Sequence, residues 1–338
     1  MDPLTHALSG AVIGTATSRR DSAELRQRAL WGGLFAMFPD IDIVMVPFTD
    51  HFTYLNEHRG ITHSIIMLPV WAALLGWLAA RFSKQRWRDM AALAAAALAA
   101  HILGDLITSY GTKVFAPVND APLAFPITFI IDPVFTLILL AGLFAALWKR
   151  MPASAAIGGL ALCAYLLLQA FAQQWATRLG VEYAAAIGAP DAPVIVFPQP
   201  LSPFNWKIIV ATGESYRRAY VNLLEDNPRT AEPNANILLR VRAAYQPADA
   251  LNWKTYPRWP DDPAHRDIAI AAWLQDDFAG FRRFALLPYV SSMRGGGDNV
   301  CVWFTDLRFT LRGMPPPFEY AMCRNPAGIW ALNMNAPK

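Results

Sequence analysis

Charge is what this sequence lacks most. Asp, Glu, Lys and Arg make up only 16% of its 338 residues, against roughly 25% in an ordinary soluble domain. Hydrophobic residues make up 54%. The shortage is concentrated: residues 61–80 contain none of the four charged types, and neither do residues 153–172. Stretches of about 20 such residues match the roughly 30 Å hydrocarbon core of a bilayer. The formal net charge of +3 is too small for a nucleic-acid partner, and no basic stripe interleaved with aromatics is present. The start, "MDPLTHALSGAVIGTATSRR", lacks the positive n-region of a secretory signal. Its arginines come after the apolar stretch, the order of a retained helix whose C-terminal end faces the cytoplasm. Cysteine is scarce as well. Cys163, Cys301 and Cys323 form no CxxC pair, which argues against a thiolate zinc site. Cys301 and Cys323 could pair if their half of the chain lies outside the cytoplasm.

What is present is a series of six apolar segments, at roughly 4–17, 29–47, 61–81, 89–109, 127–148 and 153–172. The first is short for a span, and the second holds Pro39, Asp40 and Asp42, so a kink or break is expected there. Basic residues gather in alternate loops: Arg19, Arg20, Arg26 and Arg28, then Arg81, Lys84, Arg86 and Arg88, then Lys149 and Arg150. The positive-inside rule makes that side cytoplasmic. The loops 48–60 and 110–126, with only Arg59 and Lys113 as basic residues, then face outward. Character changes near residue 176. Beyond it, prolines, tryptophans and charges mix with β-type runs: "PVIVFP", "WKIIVATG", "ILLRVRAAY", "NVCVWFTDLRFTL" and "GIWALNM". Residues 264–285 read as helical. The expected fold is an α-helical membrane bundle of about five or six helices, residues 1–176, followed by a β-rich α+β extramembrane domain, residues 177–338. With six spans that domain lies on the outer side.

Five of the six histidines fall within the first 101 residues. On this topology His6, Asp40, Asp42, His58, His63, His101, Asp105 and Asp132 all belong to the outward half of the bundle. Ionisable groups inside spans are costly and turn inward toward partners. His101 and Asp105, in "HILGDLITSYG", are spaced i, i+4 and share a helix face. Asp40 and Asp42, in "FPDIDIV", would diverge on an α-helix but can converge in a kinked stretch after Pro39. His58 and His63, in "HRGITHS", flank Gly60, which permits a turn between them. Each piece has a plainer reading: an interior histidine, a helix end meeting water, or a Thr62 N-cap. His51 and His265 read as loop residues. Four segments delivering His or Asp to one end favour a metal site. A donor set of His and Asp without Cys suits Zn²⁺ first, with Mn²⁺ or Fe²⁺ as alternatives, over Ca²⁺.

The stretches "DPLTHALSG", "FPDID", "HRGITHS" and "HILGDLITSYGT", in that order, make the first 150 or so residues resemble the YdjM-type inner-membrane metal-dependent hydrolases. The resemblance implies a multi-pass protein of the bacterial inner membrane. It also implies a hydrolase with His6, Asp40, Asp42, His58, His63, His101 and Asp105 at the metal positions, and leaves the substrate open. A fainter likeness is to the zinc-dependent phospholipase C enzymes, which order His, Asp, His and then HxxxD on one helix. Ser109 stands where that group carries a further helix ligand, so one or two ions are expected rather than three.

Three functions follow as expectations. The first is hydrolysis of a phosphoester or lipid-linked substrate at the outer face of the membrane by metal-activated water. Asp40 or Asp42 would bridge metals or serve as base, and Arg59 would meet an anionic group, as could Lys113. Thr62 and Thr108 would orient ligands. The bilayer is then the partner. The second is a structural metal beneath a partner-binding outer domain. The third, a transporter, is weakened by the few ionisable residues in the cytoplasmic half.

Overall fold

The computed structural model describes residues 1–19, 21–232, 234–296, 299–312 and 314–334. Arg20, one of the loop arginines, lies outside the described residues. Contacts divide the chain into two units. Met1–Phe171 with Pro198–Pro203 form the first, and Ala172–Phe197 with Phe204–Lys338 form the second. Residue 176, where the sequence changes character, falls inside one continuous helix.

The first unit is helical. Its elements are α1 (Pro3–Ala16), α2 (Ser22–Met37), α3 (His51–Glu57), α4 (Leu68–Phe82), α5 (Trp87–Leu106), α6 (Pro133–Lys149) and the first half of α7 (Pro152–Ala186). Asp2, Asp21, Asp50 and Asp132 cap the starts of α1, α2, α3 and α6 by accepting first-turn backbone N–H groups. The expected break after α2 is a long 3₁₀ stretch, Phe38–Phe48, with Pro39 at its start and Pro47 near its end. Runs of 3₁₀ helix this long are uncommon. Among the described residues, three helical stretches are long and apolar enough to cross a membrane: Ser22–Phe48, Trp87–Leu106 and Pro152–Ala186. A fourth arises if His51–His63 and α4, bent by 71° from one another, count as one broken span. At 17 residues α6 is apolar but shorter.

α5 sits against α1, α2 and α4. Its alanine-rich sequence favours helix, and its buried stripe of Met90, Ala94, Ala97, His101 and Asp105 follows the three-to-four spacing of one helix face. His101 and Asp105 therefore continue the face that packs. α1 reaches this core because glycines let it approach α2. A Cβ on Gly10 would collide with the Gly32 carbonyl, and one on Gly14 with the Arg28 carbonyl. This is the small-residue contact typical of membrane helices.

The second unit holds two four-stranded sheets, each in sequential order. In one, β1 (Val194–Pro198), β2 (Asn205–Thr212), β3 (Ser215–Asn222) and β4 (Lys254–Pro257) are neighbours. In the other they are β5 (Pro288–Gly296), β6 (Asn299–Asp306), β7 (Glu319–Arg324) and β8 (Trp330–Asn333). Pairing is antiparallel from β2 to β4 and from β5 to β8. Ala172 and Ala176 of α7 pack with Val196, Trp206 and Ile208 of the first sheet. The helical reading of 264–285 corresponds to α9 (Pro263–Trp273) and α10 (Ala279–Phe284). "ILLRVRAAY", expected as a strand, is instead α8 (Ile237–Arg242), because Asn236 caps it by accepting the Leu239 N–H. Its alternation of apolar and basic residues is as compatible with one helical turn as with a strand. Cys301 and Cys323 face each other across β6 and β7 and form a disulfide.

Candidate metal centre

The chain turns sharply at the "HRGITHS" stretch, where the helical segments His51–His63 and α4 are bent by 71° from one another. α3 ends at His58, Arg59 takes a left-handed backbone (φ 62°), and a 3₁₀ turn over Ile61–His63 follows. The Ser64 hydroxyl then accepts the N–H groups of Ile66 and Met67 and donates to the Ala116 carbonyl at 2.5 Å. Thr62, weighed as an N-cap, is not one; α4 begins at Leu68, and the Thr62 hydroxyl lies 3.0 Å from His63 Nδ1. The turn drives the His63 ring into the bundle, where it is fully buried.

Four side chains converge there: Asp40, His63, His101 and Asp105. His63 Nε2 lies 3.0 Å from His101 Nε2. Asp105 Oδ2 lies 3.1 Å from His63 Nε2 and 3.3 Å from His101 Nε2. Asp40 Oδ1 is 3.5 Å from each of the same two nitrogens. All four donor atoms fall within 4.8 Å of one another. Ligands about 2.0–2.1 Å from a tetrahedral Zn²⁺ are separated from each other by about 3.3 Å. The spacing therefore fits one ion.

The outer hydrogen bonds of the two rings are compatible with that fit. His101 donates Nδ1–H to the Ala36 carbonyl at 2.5 Å, which leaves the lone pair on Nε2, facing the cluster. On the Nδ1 side of His63 stand the Thr62 hydroxyl and, at 3.8 Å, Asp42 Oδ2. Groups so placed can orient a metal-binding imidazole from behind. Asp105 Oδ2 is buried and accepts no hydrogen bond. Two facing imidazole nitrogens and an unsatisfied carboxylate oxygen are a donor set suited to a cation.

The other expected positions surround this core. His6 stacks on His101 with ring centroids 3.6 Å apart and places Nε2 3.2 Å from Asp105 Oδ1. Asp42 lies on the far side of His63, 3.0 Å from His58 Nδ1, and accepts the Arg59 backbone N–H. Asp40 and Asp42 therefore stand on opposite sides of the His63 ring, Asp40 at Nε2 within the cluster and Asp42 at Nδ1 outside it. His6, Asp42 and His58 are neighbours of the four-donor set rather than members of it. Arg59 is 3% exposed and turns into the bundle. Its Nη2 lies 2.9 Å from Asp105 Oδ1 and its Nη1 donates to Thr108 Oγ1 at 3.0 Å. The amino group of Met1 also pairs with Asp105. Lys113 pairs with Glu57 at 3.0 Å. Asp132 belongs elsewhere, accepting from Tyr165 at 2.8 Å and Gln169 at 2.9 Å. His51 begins α3, and His265 lies in α9, 3.1 Å from Asp262.

Two contributors were not singled out in the sequence. The Ala36 carbonyl carries no side-chain signal at all. Gly104 does carry one: a glycine between His101 and Asp105 in a helix marks a close approach. A Cβ there would lie 3.3 Å from His6 Cε1.

No curated protein and no solved structure matches the chain, and the order-of-ligands likeness to zinc-dependent phospholipase C gains no support. A family model described as "YdjM inner membrane protein" matches residues 1–176. The elements from α1 to α6 and the His/Asp cluster lie within that match, which covers more than half of the chain, and the chain belongs to the YdjM inner membrane protein family.

Proposed function

We propose that this protein is a membrane-bound, metal-dependent hydrolase acting at the outer face of the inner membrane on a phosphoester, lipid-linked in the simplest case. One observation carries the proposal: two imidazole nitrogens and two carboxylate oxygens from distant segments meet at metal-ligand spacing. Asp40, His63, His101 and Asp105 would hold the ion, with zinc the first expectation and manganese or iron the alternatives. When bound, such an ion acts as a Lewis acid and brings the pKa of a coordinated water toward about 7. The protein's own groups do the rest. Asp40 has 26% of its side chain exposed, whereas His63 and Asp105 have none. Asp40 is thus the group that can meet a substrate and take a proton from the attacking water. Asp42 and Thr62 hold the His63 ring from behind. Arg59 is a positioning residue that holds the Asp105 carboxylate in place through its 2.9 Å contact.

Placement at the outer face is supported by the loop-charge asymmetry. It is also supported by the Cys301–Cys323 disulfide, a bond that persists outside the reducing cytoplasm. A structural metal, with the second unit binding a partner, is favoured by one observation, the complete burial of His63, His101 and Asp105. Elemental analysis of the detergent-purified chain comes first, and one or two divalent ions per chain are expected. The metal-loaded protein is then offered a panel of phospholipids and soluble phosphoesters, with chelator as control. Product that chelation abolishes and metal restores is the expected result. Bound metal with no product from any member would leave the structural role.

A further inference from the structure

The metal centre is not sealed on every side. A groove of about 540 Å³ runs along the helical unit between α2, the 3₁₀ stretch and α4. Leu34, Phe38, Leu75, Leu78 and Phe82 are among its walls, and Asp40 is its only charged lining residue. Trp31 to Phe38 on one wall and Leu75 to Phe82 on the other each span seven residues, on the order of 10 Å of helix. Leu34, Leu78 and Phe82 are exposed, Phe82 by 75%. The 3₁₀ stretch and α2 form one candidate span, and α4 belongs to the broken one. In a bilayer the open side of the groove therefore faces hydrocarbon, not water.

Among the four clustered donors, Asp40 alone lines this groove. Asp40 is at once a lining residue of an apolar trough and a member of the metal cluster. A trough with one polar point suits a molecule that is apolar along its length and polar at one end. We infer that the groove takes one acyl chain of a bilayer phospholipid and delivers the headgroup linkage of that lipid to the metal centre past Asp40. This rests on the hydrolase proposal and names its substrate class. An acyl chain entering from the bilayer exchanges one apolar environment for another, so the hydrophobic effect contributes little net affinity. What the groove supplies is alignment: the chain is held along α2 and α4, so the bond to be cleaved is held beside Asp40. Misplacement of a reacting group by about 1 Å is enough to lower a rate on the order of 100-fold.

The test uses the full chain, metal-loaded, in detergent, with a phosphatidylethanolamine whose acyl chain carries a photoactivatable diazirine. Adducts are expected on Leu34, Leu75 and Leu78, and excess unlabelled phospholipid should suppress them. The double variant Leu34→Trp/Leu78→Trp narrows the trough at two exposed positions. It should lower adduct yield, and lower phospholipid turnover relative to turnover of a water-soluble aryl phosphate by about tenfold or more. Adducts spread equally over exposed α6 residues such as Leu137 and Phe144, and not suppressed by competitor, would overturn the inference. So would a double variant with an unaltered turnover ratio. Suppressible labelling of the groove in a metal-loaded protein that hydrolyses nothing would sink the hydrolase proposal instead, leaving the groove as a phospholipid site.

Discussion

Replacing Asp105 by Asn tests the centre at its most connected residue. Asp105 is fully buried and is paired on Oδ1 with the Arg59 guanidinium, the Met1 amino group and His6. Arg59 is 3% exposed, and its guanidinium meets the Asp105 carboxylate at 2.9 Å. Removing the carboxylate charge leaves that guanidinium buried without its ion partner. Breaking one side of a buried pair costs about 3–5 kcal/mol. At about 1.4 kcal/mol per tenfold, the folded-to-unfolded ratio falls by roughly two to four powers of ten. The measurement is equilibrium unfolding of the full chain in detergent with chelator present, so that metal binding does not contribute. If an orphaned Arg59 is the cause, Arg59→Met should repair part of the damage. The double variant should then be more stable than the two single losses predict, with a coupling near the upper end of the roughly 0.5–3 kcal/mol seen for contacting residues. Strict additivity would refute the pairing, and with it the role given to Arg59. In the metal-loaded protein the same Asp105→Asn change should also lower bound zinc; unchanged zinc content would remove Asp105 from the ligand set.

Four further outcomes are expected. Asp42→Asn weakens the support behind His63 and should reduce zinc affinity about 10–100-fold, measured by competition with a chelating dye, without abolishing binding. Gly104→Val puts a branched side chain where a Cβ already approaches His6 to 3.3 Å; overpacking of about 1–3 kcal/mol should appear in unfolding, and His6 should leave Asp105. Cys301→Ser opens a bond closing a separation of 22 residues and should cost about 3 kcal/mol, read by unfolding of the chain purified with thiols alkylated. In the second unit, burial pushes the Lys207 ammonium well below the usual lysine range, with Arg218 adding to the effect, while the carbonyls of Leu307, Arg308 and Thr310 accept its hydrogens at 2.7, 2.7 and 3.0 Å. Between its folded pKa and the ordinary lysine value of about 10.4 the unfolded chain binds more protons, so stability should rise with pH across that window; a Lys207→Met variant with the same slope would refute this.

The difference between what the sequence discloses and what it conceals follows from the range of the interactions involved. Helices α5 and α7 are legible because apolar content and alanine propensity act locally. The i, i+4 relation of His101 and Asp105 is fixed by helix geometry alone, and the structure keeps both in one cluster. The kink after Pro39 is legible because proline acts on its own backbone. The division of labour among the seven expected metal positions is not. Whether His58 or His63 faces the ion depends on the left-handed Arg59 and on Ser64 anchoring the turn to the chain at Ala116, 52 residues away. Whether Asp40 or Asp42 does so depends on a 3₁₀ rather than an α-helical path. Arg59 reads as a partner for an anionic group because it adjoins His58, and its contacts with Thr108 and Asp105 at the α5 terminus become visible only in three dimensions. Likewise "ILLRVRAAY" alternates like a strand, and the competing Asn236 cap wins by one local hydrogen bond. The groove is the extreme case. Its walls come from two helices separated by the whole HRGITHS turn, and each wall residue taken singly is one more exposed apolar side chain on a membrane helix. It is Asp40, common to wall and cluster, that turns a lipid-facing trough into a path toward the metal centre; the sequence marks that residue as a candidate ligand but carries no sign of the groove it lines.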